Sequence, residues 1–129
     1  MTDYHEPYEH LDDEARNFHR ALNSLKEEIE AVDWYHQRVA LCQDASLRDV
    51  LAHNRDEEIE HACMTLEWLR RNMPRWDEML RTYLFTEAPI TQIEEEDTGA
   101  AQADKPARPS AGRAAVGSLG IGSLKGSNG

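Results

Sequence analysis

Glu58, His61 and Glu28 have the residue types and the spacing of metal ligands. Glu58 and His61 form a Glu-x-x-His pair, and side chains three residues apart share one face of a helix. Carboxylate and imidazole groups together bind transition metals, iron among them. Glu28 lies upstream, where an adjacent helix can bring it to the same level. The pattern therefore predicts a metal site.

These residues supply only half of one known type of site. In carboxylate-bridged di-iron bundles, two helices contribute one Glu each and the other two contribute a Glu-x-x-His each. This chain has one copy of each contribution. Two chains packed as antiparallel hairpins across a twofold axis would complete the ligand set. We therefore expect a homo-oligomer whose site is shared between subunits.

A heptad pattern predicts the first long helix, and a second follows a break at residues 43–46. Asp44 or Ser46 can cap the second helix, which should stop before Pro74. At about 1.5 Å per residue, each helix is roughly 40 Å long, so the two match as a hairpin. A turn near residue 44 would place Glu28 opposite Glu58 and His61. The stripe positions of the first helix are Leu11, Ala15, Phe18, Leu22, Leu25, Ile29, Val32, His36 and Val39.

The stripe of the second helix contains a polar stretch. Its positions are Leu47, Leu51, Asn54, Glu58, His61, Thr65 and Trp68. Burying an unpaired carboxylate there would be costly, so a bound metal is the favoured explanation. A polar layer that only sets helix register or oligomeric state is the alternative. Asp33 with His36 is a rival pair on the first helix, less favoured because Asp33 points away from the stripe.

Composition limits the class of partner. The formal charge of −11, with 25 acidic against 14 basic residues, argues against nucleic acid and anionic membranes and favours cations. No stretch approaches the roughly 18 apolar residues of a membrane span, and no leader pattern is present, so we expect a cytoplasmic protein. Cys42 and Cys63 should lie far apart in the hairpin, without an intrachain disulfide, as small buried residues.

The expected fold is all-α: two long antiparallel helices and a short third helix, with two chains forming a four-helix bundle. The third helix, at residues 75–85, either covers a subunit contact or caps the open end of the hairpin. The C-terminal part is rich in small residues and should be a disordered tail. It ends in a segment whose Leu119, Ile121 and Leu124 suggest a docking peptide, or are incidental aliphatics. The expected organisation is an arm at 1–10, the helical hairpin domain at 11–96, a linker at 97–116, the peptide at 117–126 and a tail at 127–129.

Residues 27–35, 52–62, 64–72 and 119–125 carry a resemblance to a known family. They resemble the encapsulated ferritins, which are cargo proteins of bacterial encapsulin shells. The resemblance extends from about residue 11 to 91 and resumes in the last dozen residues. It implies a ferroxidase with a di-iron centre between two subunits, with Glu28, Glu58 and His61 as iron ligands and Trp34 and Tyr35 beside them.

The resemblance also implies further metal positions and an assembly. Glu27 and Glu30 match acidic residues that gather incoming metal, and His53, Glu57 and Glu60 would add metal positions on the same surface. Five dimers would form a ring. The C-terminal peptide, through Leu119, Ile121 and Leu124, would bind the shell protein inside an encapsulin nanocompartment, where the mineral is stored.

The implied reaction is oxidation of paired Fe²⁺ by O₂. Tyr35 either donates a hydrogen bond to a ligand or only packs. Two alternatives remain open: a non-catalytic sequestering or structural bundle that holds Zn²⁺ or Ca²⁺, and a rubrerythrin-like peroxidase. The latter is disfavoured because neither cysteine belongs to a Cys-x-x-Cys motif. Ca²⁺ or Zn²⁺ could also substitute for iron in the ferroxidase site.

Overall fold

The computed structural model describes residues 3–103, and the prediction of an all-α fold is confirmed over this part of the chain. The elements are a 3₁₀ turn at Tyr8–His10 and four helices: α1 Asp13–Leu41, α2 Ala45–Asn72, α3 Pro74–Tyr83 and α4 Ile90–Ala103. The described residues fall into two compact units that divide between Met73 and Pro74. None of the described helices is long and apolar enough to cross a membrane.

Helix α1 is fixed at both ends by local hydrogen bonds. The Asp12 carboxylate accepts from the Ala15 backbone N–H at 2.8 Å and caps the first turn. Asp13 and Glu14 in that turn complement the positive end of the helix dipole. At the other end, the backbone N–H of Cys42 donates to the Arg38 carbonyl. These contacts are encoded within a few residues of each helix end.

Helix α2 begins at an aspartate cap. The Asp44 carboxylate accepts from the backbone N–H of Leu47 at 2.8 Å and from the Ser46 hydroxyl at 3.0 Å. These hydrogen bonds, that of Leu47 first, lower the pKa of Asp44. Of the two candidate caps, Asp44 is the N-cap and Ser46 supports it. The helix ends at Asn72, before Pro74, as the sequence predicts.

Helices α1 and α2 form an antiparallel hairpin. The Phe18 ring lies 5.8 Å from the Trp68 ring, near the open end of the hairpin. Glu28 contacts Thr65 at 3.0 Å, and nearer the turn His36 contacts Arg55 at 3.1 Å. The paired positions advance in opposite directions along the two helices, which confirms the predicted antiparallel arrangement.

Only part of the predicted α1 stripe faces α2. Phe18, Leu25, Val32 and Val39 are half-buried, but the stripe positions Leu22, Ile29 and His36 are exposed, with Ile29 at 56%. These three stripe residues therefore do not face α2 within the single chain. Two helices contact each other along one row of side chains, so a neighbouring row on each helix is left facing outward.

The unit that ends at Met73 has a very small core of its own. Leu69 is the only fully buried residue in the part of the chain whose burial is described. Trp34, Met64 and Trp68 on the hairpin are exposed by 51%, 63% and 40%. Apolar surface of this extent on a small helical unit is typical of an interaction surface.

The N-terminal arm packs back along α1. Asp3 forms an ion pair with Lys26 at 3.1 Å, which lowers the pKa of Asp3. The Tyr4 ring lies 4.0 Å from the His19 ring, and Arg16 donates to the Tyr8 carbonyl at 2.8 Å. The arm is thus held to α1 by its own polar and aromatic contacts.

The second unit differs from expectation in two respects. Helix α3 begins with Pro74 at its first position, as proline favours, and ends at Tyr83 rather than at residue 85. Phe85 follows with a φ of 60°, a left-handed conformation that ends the helix. Helix α4 then occupies Ile90–Ala103 and contacts α3. The linker prediction is therefore wrong for residues 97–103, which belong to α4. The acidic cluster at 94–97 lies within the same helix, whereas the sequence predicts that the folded domain ends at residue 96.

The remaining C-terminal predictions lie outside the described residues. These are the rest of the linker, the peptide with Leu119, Ile121 and Leu124, and the tail. Both cysteines are free thiols. Cys42 is only half-buried and Cys63 is exposed on α2, so neither is buried in the single chain as the sequence predicts.

Candidate metal centre

Glu58 and His61 project from the same face of α2. Nδ1 of His61 lies 3.7 Å from a carboxylate oxygen of Glu58, and Nε2 of His61 lies 3.8 Å from Glu57. The Glu58 side chain is 28% exposed and that of His61 is 47% exposed. At this distance Glu58 and His61 do not form a strong hydrogen bond with each other, and both side chains are partly exposed to solvent. Oxygen and nitrogen ligands are therefore presented at the hairpin surface.

Glu28 reaches the same face from α1. Its Oε1 accepts a hydrogen bond from the Thr65 hydroxyl at 3.0 Å, across the helix pair. Thr65 follows His61 by about one turn and Glu58 by about two. Glu28 therefore lies one to two turns beyond the pair, and the prediction that it stands directly opposite Glu58 and His61 is wrong by that offset. The structure thus brings the three sequence-predicted ligands to one side of the hairpin.

Thr65 received no role from the sequence, whereas Glu57 was among the further metal positions that the resemblance implies. Thr65 belongs to the α2 stripe but is the residue that contacts Glu28. Glu57 lies beside His61 as closely as Glu58 does. A signal for Thr65 existed, since it stands four residues after His61 on the same stripe and a hydroxyl is an unusual choice for an apolar position.

The residues that flank Glu28 are mostly exposed. Glu27 accepts a hydrogen bond from the Asn23 side-chain amide at 3.2 Å, and Glu30 is exposed. Trp34 lies outward, whereas Tyr35 is half-buried with the Arg38 guanidinium 5.2 Å from its ring centre. Glu27 and Glu30 therefore present carboxylates to solvent on α1.

A second group of polar side chains follows the outer face of α2. Nε2 of His53 lies 3.6 Å from Glu57, whose other oxygen faces His61. Glu60 is exposed nearby in sequence. The residues His53, Glu57 and His61 recur every four positions, so they form one line along the helix.

The rival pair on α1 is engaged elsewhere. Nδ1 of His36 lies 3.1 Å from the Arg55 guanidinium and accepts a hydrogen bond from this cationic group. Asp33 accepts a hydrogen bond from the Gln37 amide at 3.2 Å. A metal would have to displace Arg55 to use Nδ1 of His36, and a cation at Nε2 would lie near the Arg55 charge, which weakens this alternative.

Glu67 is a carboxylate of the hairpin that already has two cationic partners. It accepts from Arg70 at 2.8 Å and from Arg71 at 2.7 Å, and these hydrogen bonds lower its pKa to about 2. A carboxylate held by two guanidinium groups is poorly available to a cation. Glu28 has a neutral hydroxyl partner instead.

A shallow groove lies beside the candidate ligands, between α1 and α2. Arg20, Ser24, Met64 and Trp68 line it together with Thr65. Within the residues that the structure describes, no three His, Cys, Asp or Glu side chains converge closely enough to hold a metal ion. The single chain therefore presents separated ligands along a partly apolar, open face.

Comparison with known proteins places this chain in a family. The EncFtn-like family model matches residues 3–87, which is the hairpin together with α3. The chain belongs to the EncFtn-like family.

Two named proteins are similar in sequence to this EncFtn-like chain. It is 67% identical over 99 residues to a ferritin-like protein of Thermotoga maritima, a match that covers 77% of this chain and 87% of the relative. It is 60% identical over 122 residues to an encapsulated ferritin-like protein of Rhodospirillum rubrum, covering 95% and 87%. The match to the latter extends well beyond the residues covered by the family model.

A solved structure supports the fold of the EncFtn-like chain. The crystal structure of protein ne0167 from Nitrosomonas europaea aligns with a TM-score of 0.68 at 57% identity. The alignment covers 69% of this chain and 98% of that one. The helical architecture described above is therefore also found in a solved relative.

Proposed function

We propose that this protein is a ferroxidase, which oxidises Fe²⁺ to Fe³⁺ at a di-iron centre formed between two subunits. The supporting observation is that Glu28, Glu58 and His61 reach one open side of the hairpin from two helices. The names of the relatives, ferritin-like and encapsulated ferritin-like, agree with an iron-handling role.

A second copy of the chain is needed for this function. One hairpin supplies one Glu-x-x-His and one additional Glu, which is half of the set that di-iron bundles use. The same hairpin carries exposed Trp34, Met64 and Trp68, whose burial in a dimer would offset the cost of desolvating the carboxylates. The dimer would therefore cover its apolar surface and complete the site in one step.

The ligand set suits the oxidation of iron. Hard carboxylate oxygens stabilise Fe³⁺ more than Fe²⁺, so they favour loss of an electron, and O₂ accepts the electrons that two Fe²⁺ substrates give up. The Glu28 and Glu58 carboxylates can each bind through one or both oxygens. His61 offers one neutral nitrogen and fixes the position of an ion against the helix.

We further propose that the protein acts as cargo. Its 60% identity to an encapsulated ferritin-like protein extends over 95% of this chain. Leu119, Ile121 and Leu124 would bind the inner surface of an encapsulin shell, placing the protein in a nanocompartment of the cytoplasm. A ring of five dimers would deliver Fe³⁺ to mineral stored in the shell.

The decisive experiment adds Fe²⁺ anaerobically and then admits air, with ferric absorbance and light-scattering mass recorded together. The variants are wild type, Glu58→Ala and His61→Ala. Glu95→Ala, which removes an exposed helical carboxylate from α4, is the matched control. We expect Glu58→Ala and His61→Ala to lose at least about 10-fold in oxidation rate, because the metal loses a direct ligand.

The oxidation rate of the control variant and the mass of the active species test the site and the shared centre separately. Glu95→Ala should oxidise Fe²⁺ at the wild-type rate, and fast oxidation should occur only in an oligomer. Near-normal rates in Glu58→Ala and His61→Ala would refute the assignment of the site. Fast oxidation by a monomer would refute the shared centre.

A non-catalytic, metal-sequestering role is the second candidate. It is favoured by the neighbouring pairs His53–Glu57 and Glu57–His61, whose nitrogen and oxygen atoms are ligands that Zn²⁺ accepts. The two functions differ in O₂ consumption. A sequestering protein would bind Zn²⁺ through these residues and consume no O₂ when Fe²⁺ is added.

A further inference from the structure

We infer that Thr65 is a positioning residue that orients the Glu28 carboxylate toward bound metal, an inference that rests on the proposed metal site. The Thr65 hydroxyl donates to Oε1 of Glu28 at 3.0 Å, and the contact is part-buried. It joins α2 to α1 one to two turns beyond Glu58 and His61. One carboxylate oxygen is thereby fixed, and Oε2 is left for a metal ion.

The partner chosen for Glu28 matters because of its charge. Glu67, in the same hairpin, is held by Arg70 and Arg71, whose positive charges compete with a cation for the carboxylate. A hydroxyl fixes the orientation of a carboxylate without adding a positive charge. Thr65 therefore holds Glu28 in place and leaves its full negative charge for Fe²⁺.

The Thr65 hydroxyl donates to a different kind of acceptor from the one that helical threonines commonly use. A threonine inside a helix commonly donates to the carbonyl four residues earlier, as Thr82 does to Glu78 at 3.0 Å in α3. Thr65 donates across to the neighbouring helix instead. A purely local role in α2 would not require this contact.

Orienting a ligand beforehand should strengthen metal binding. A free Glu side chain loses rotamer freedom when it binds an ion, and a carboxylate already held by a hydrogen bond loses less. Partners that hold metal ligands typically contribute about 10- to 100-fold to metal affinity or activity. Removal of the Thr65 hydroxyl should therefore weaken metal binding even when the fold and the oligomer are intact.

The test uses the full-length protein and Co²⁺, whose visible absorption reports its ligand geometry. Anaerobic Co²⁺ titrations are carried out on wild type, Thr65→Val, Thr65→Ser and Glu58→Ala, with light-scattering mass recorded for each. Thr82→Val is the matched control, because it removes a helical threonine hydroxyl that contacts only its own helix. If Thr65→Val changes the mass, Thr65→Ala replaces it with the same expectation.

We expect Thr65→Val to weaken Co²⁺ binding by about 10-fold and to alter the absorption spectrum at unchanged mass. Thr65→Ser keeps the hydroxyl and should restore affinity to within about 3-fold. Thr82→Val should behave as wild type. A merely structural role of Thr65 would shift the melting temperature and leave the spectrum unchanged.

Two results would overturn the inference, and they are distinguishable. Wild-type affinity and spectrum in Thr65→Val, with binding lost in Glu58→Ala, would show that the site exists and that Thr65 does not position Glu28. Co²⁺ binding that is insensitive to Glu58→Ala would refute the proposed site itself, and the role of Thr65 with it.

Discussion

Individual acidic residues of the hairpin differ in what holds them. Glu67 is bound by Arg70 and Arg71, and its pKa is lowered to about 2. Glu27 has only an amide partner, the Asn23 side chain at 3.2 Å, and Glu30 is exposed. Carboxylates without a cationic partner keep their charge available to metal ions. This difference separates structural acids from candidate metal-binding acids.

Glu27 and Glu30 are predicted to gather Fe²⁺ rather than to oxidise it. Exposed carboxylates near a site raise the local concentration of cations and so the rate of entry. We expect the double variant Glu27→Ala, Glu30→Ala to slow oxidation several-fold at low Fe²⁺ and low salt, with little change at saturating Fe²⁺. Stopped-flow absorbance over a range of Fe²⁺ concentrations measures both.

Salt provides the control for this prediction. The difference between wild type and the double variant should shrink as ionic strength rises, because exposed charges are screened within about 10 Å at 0.1 M salt. The paired variant Glu94→Ala, Glu95→Ala removes equal charge from α4 and should leave the rate unchanged. Equal slowing in both double variants would point to net charge rather than to these two positions.

The helices owe their boundaries to short-range contacts. Asp12 caps α1 and Asp44 caps α2 through carboxylate hydrogen bonds to backbone N–H groups of the first turn. Each cap stands two or three residues from its donor, so the sequence could predict it. The placement of Glu58 and His61 on α2 depends on where this helix begins.

The Asp44 cap gives a pH-dependent stability. We expect Asp44→Ala to lower Tm by a few degrees at pH 7, whereas Asp44→Asn, which still caps, should lose less. The folded pKa of Asp44 lies below its ordinary value of 3.8, so its charged form stabilises the folded state. This stabilisation is present above about pH 4 and is lost as pH falls through the folded pKa.

Thermal melts of the three proteins between pH 7 and pH 2 measure this effect. The advantage of wild type over Asp44→Asn should disappear at the acid end of that range. Asp49→Asn, in the same helix without a capping role, is the control and should follow the wild-type profile. An advantage that persists at pH 2 would contradict the cap as its source.

For the whole molecule, association is the dominant expectation. Leu69 is the only fully buried residue among those whose burial is described, and Trp34, Met64 and Trp68 are exposed on the hairpin. Domains of this size bury a modest share of their surface, so a second copy adds core as well as ligands. Stability and metal chemistry are therefore expected to depend on the same contact.

The C-terminal peptide is predicted to act in targeting and not in catalysis. A chain truncated after residue 116 should keep the wild-type rate of Fe²⁺ oxidation and lose packaging when produced together with an encapsulin shell protein. Co-purification with intact shells and the oxidation assay measure the two properties. A second variant is the full-length chain in which Leu119, Ile121 and Leu124 are replaced by Ala. It should also fail to package, which would assign the effect to these three side chains. Loss of oxidation on truncation would show that the segment belongs to the fold.

The half-set of ligands, Glu28, Glu58 and His61, stays a prediction. The helical class, the end of α2 before Pro74 and the antiparallel pairing of α1 and α2 were predicted from the sequence and are confirmed. These features depend on periodicity and on caps, which involve residues close together in the chain. Helix α4 escaped prediction because its acidic, weakly periodic sequence resembles a linker. Helix α4 is supported by its contact with α3, which is a tertiary contact between two helices.

Which rows of side chains meet is a property of the packed helix pair and not of either helix alone. Leu22, Ile29 and His36 belong to the α1 stripe but lie exposed, and Glu28 receives its hydrogen bond from Thr65, far away in sequence. The rotation of each helix about its axis selects these contacts. That rotation is set by how all the side chains of both helices fit together, so no local pattern could fix it.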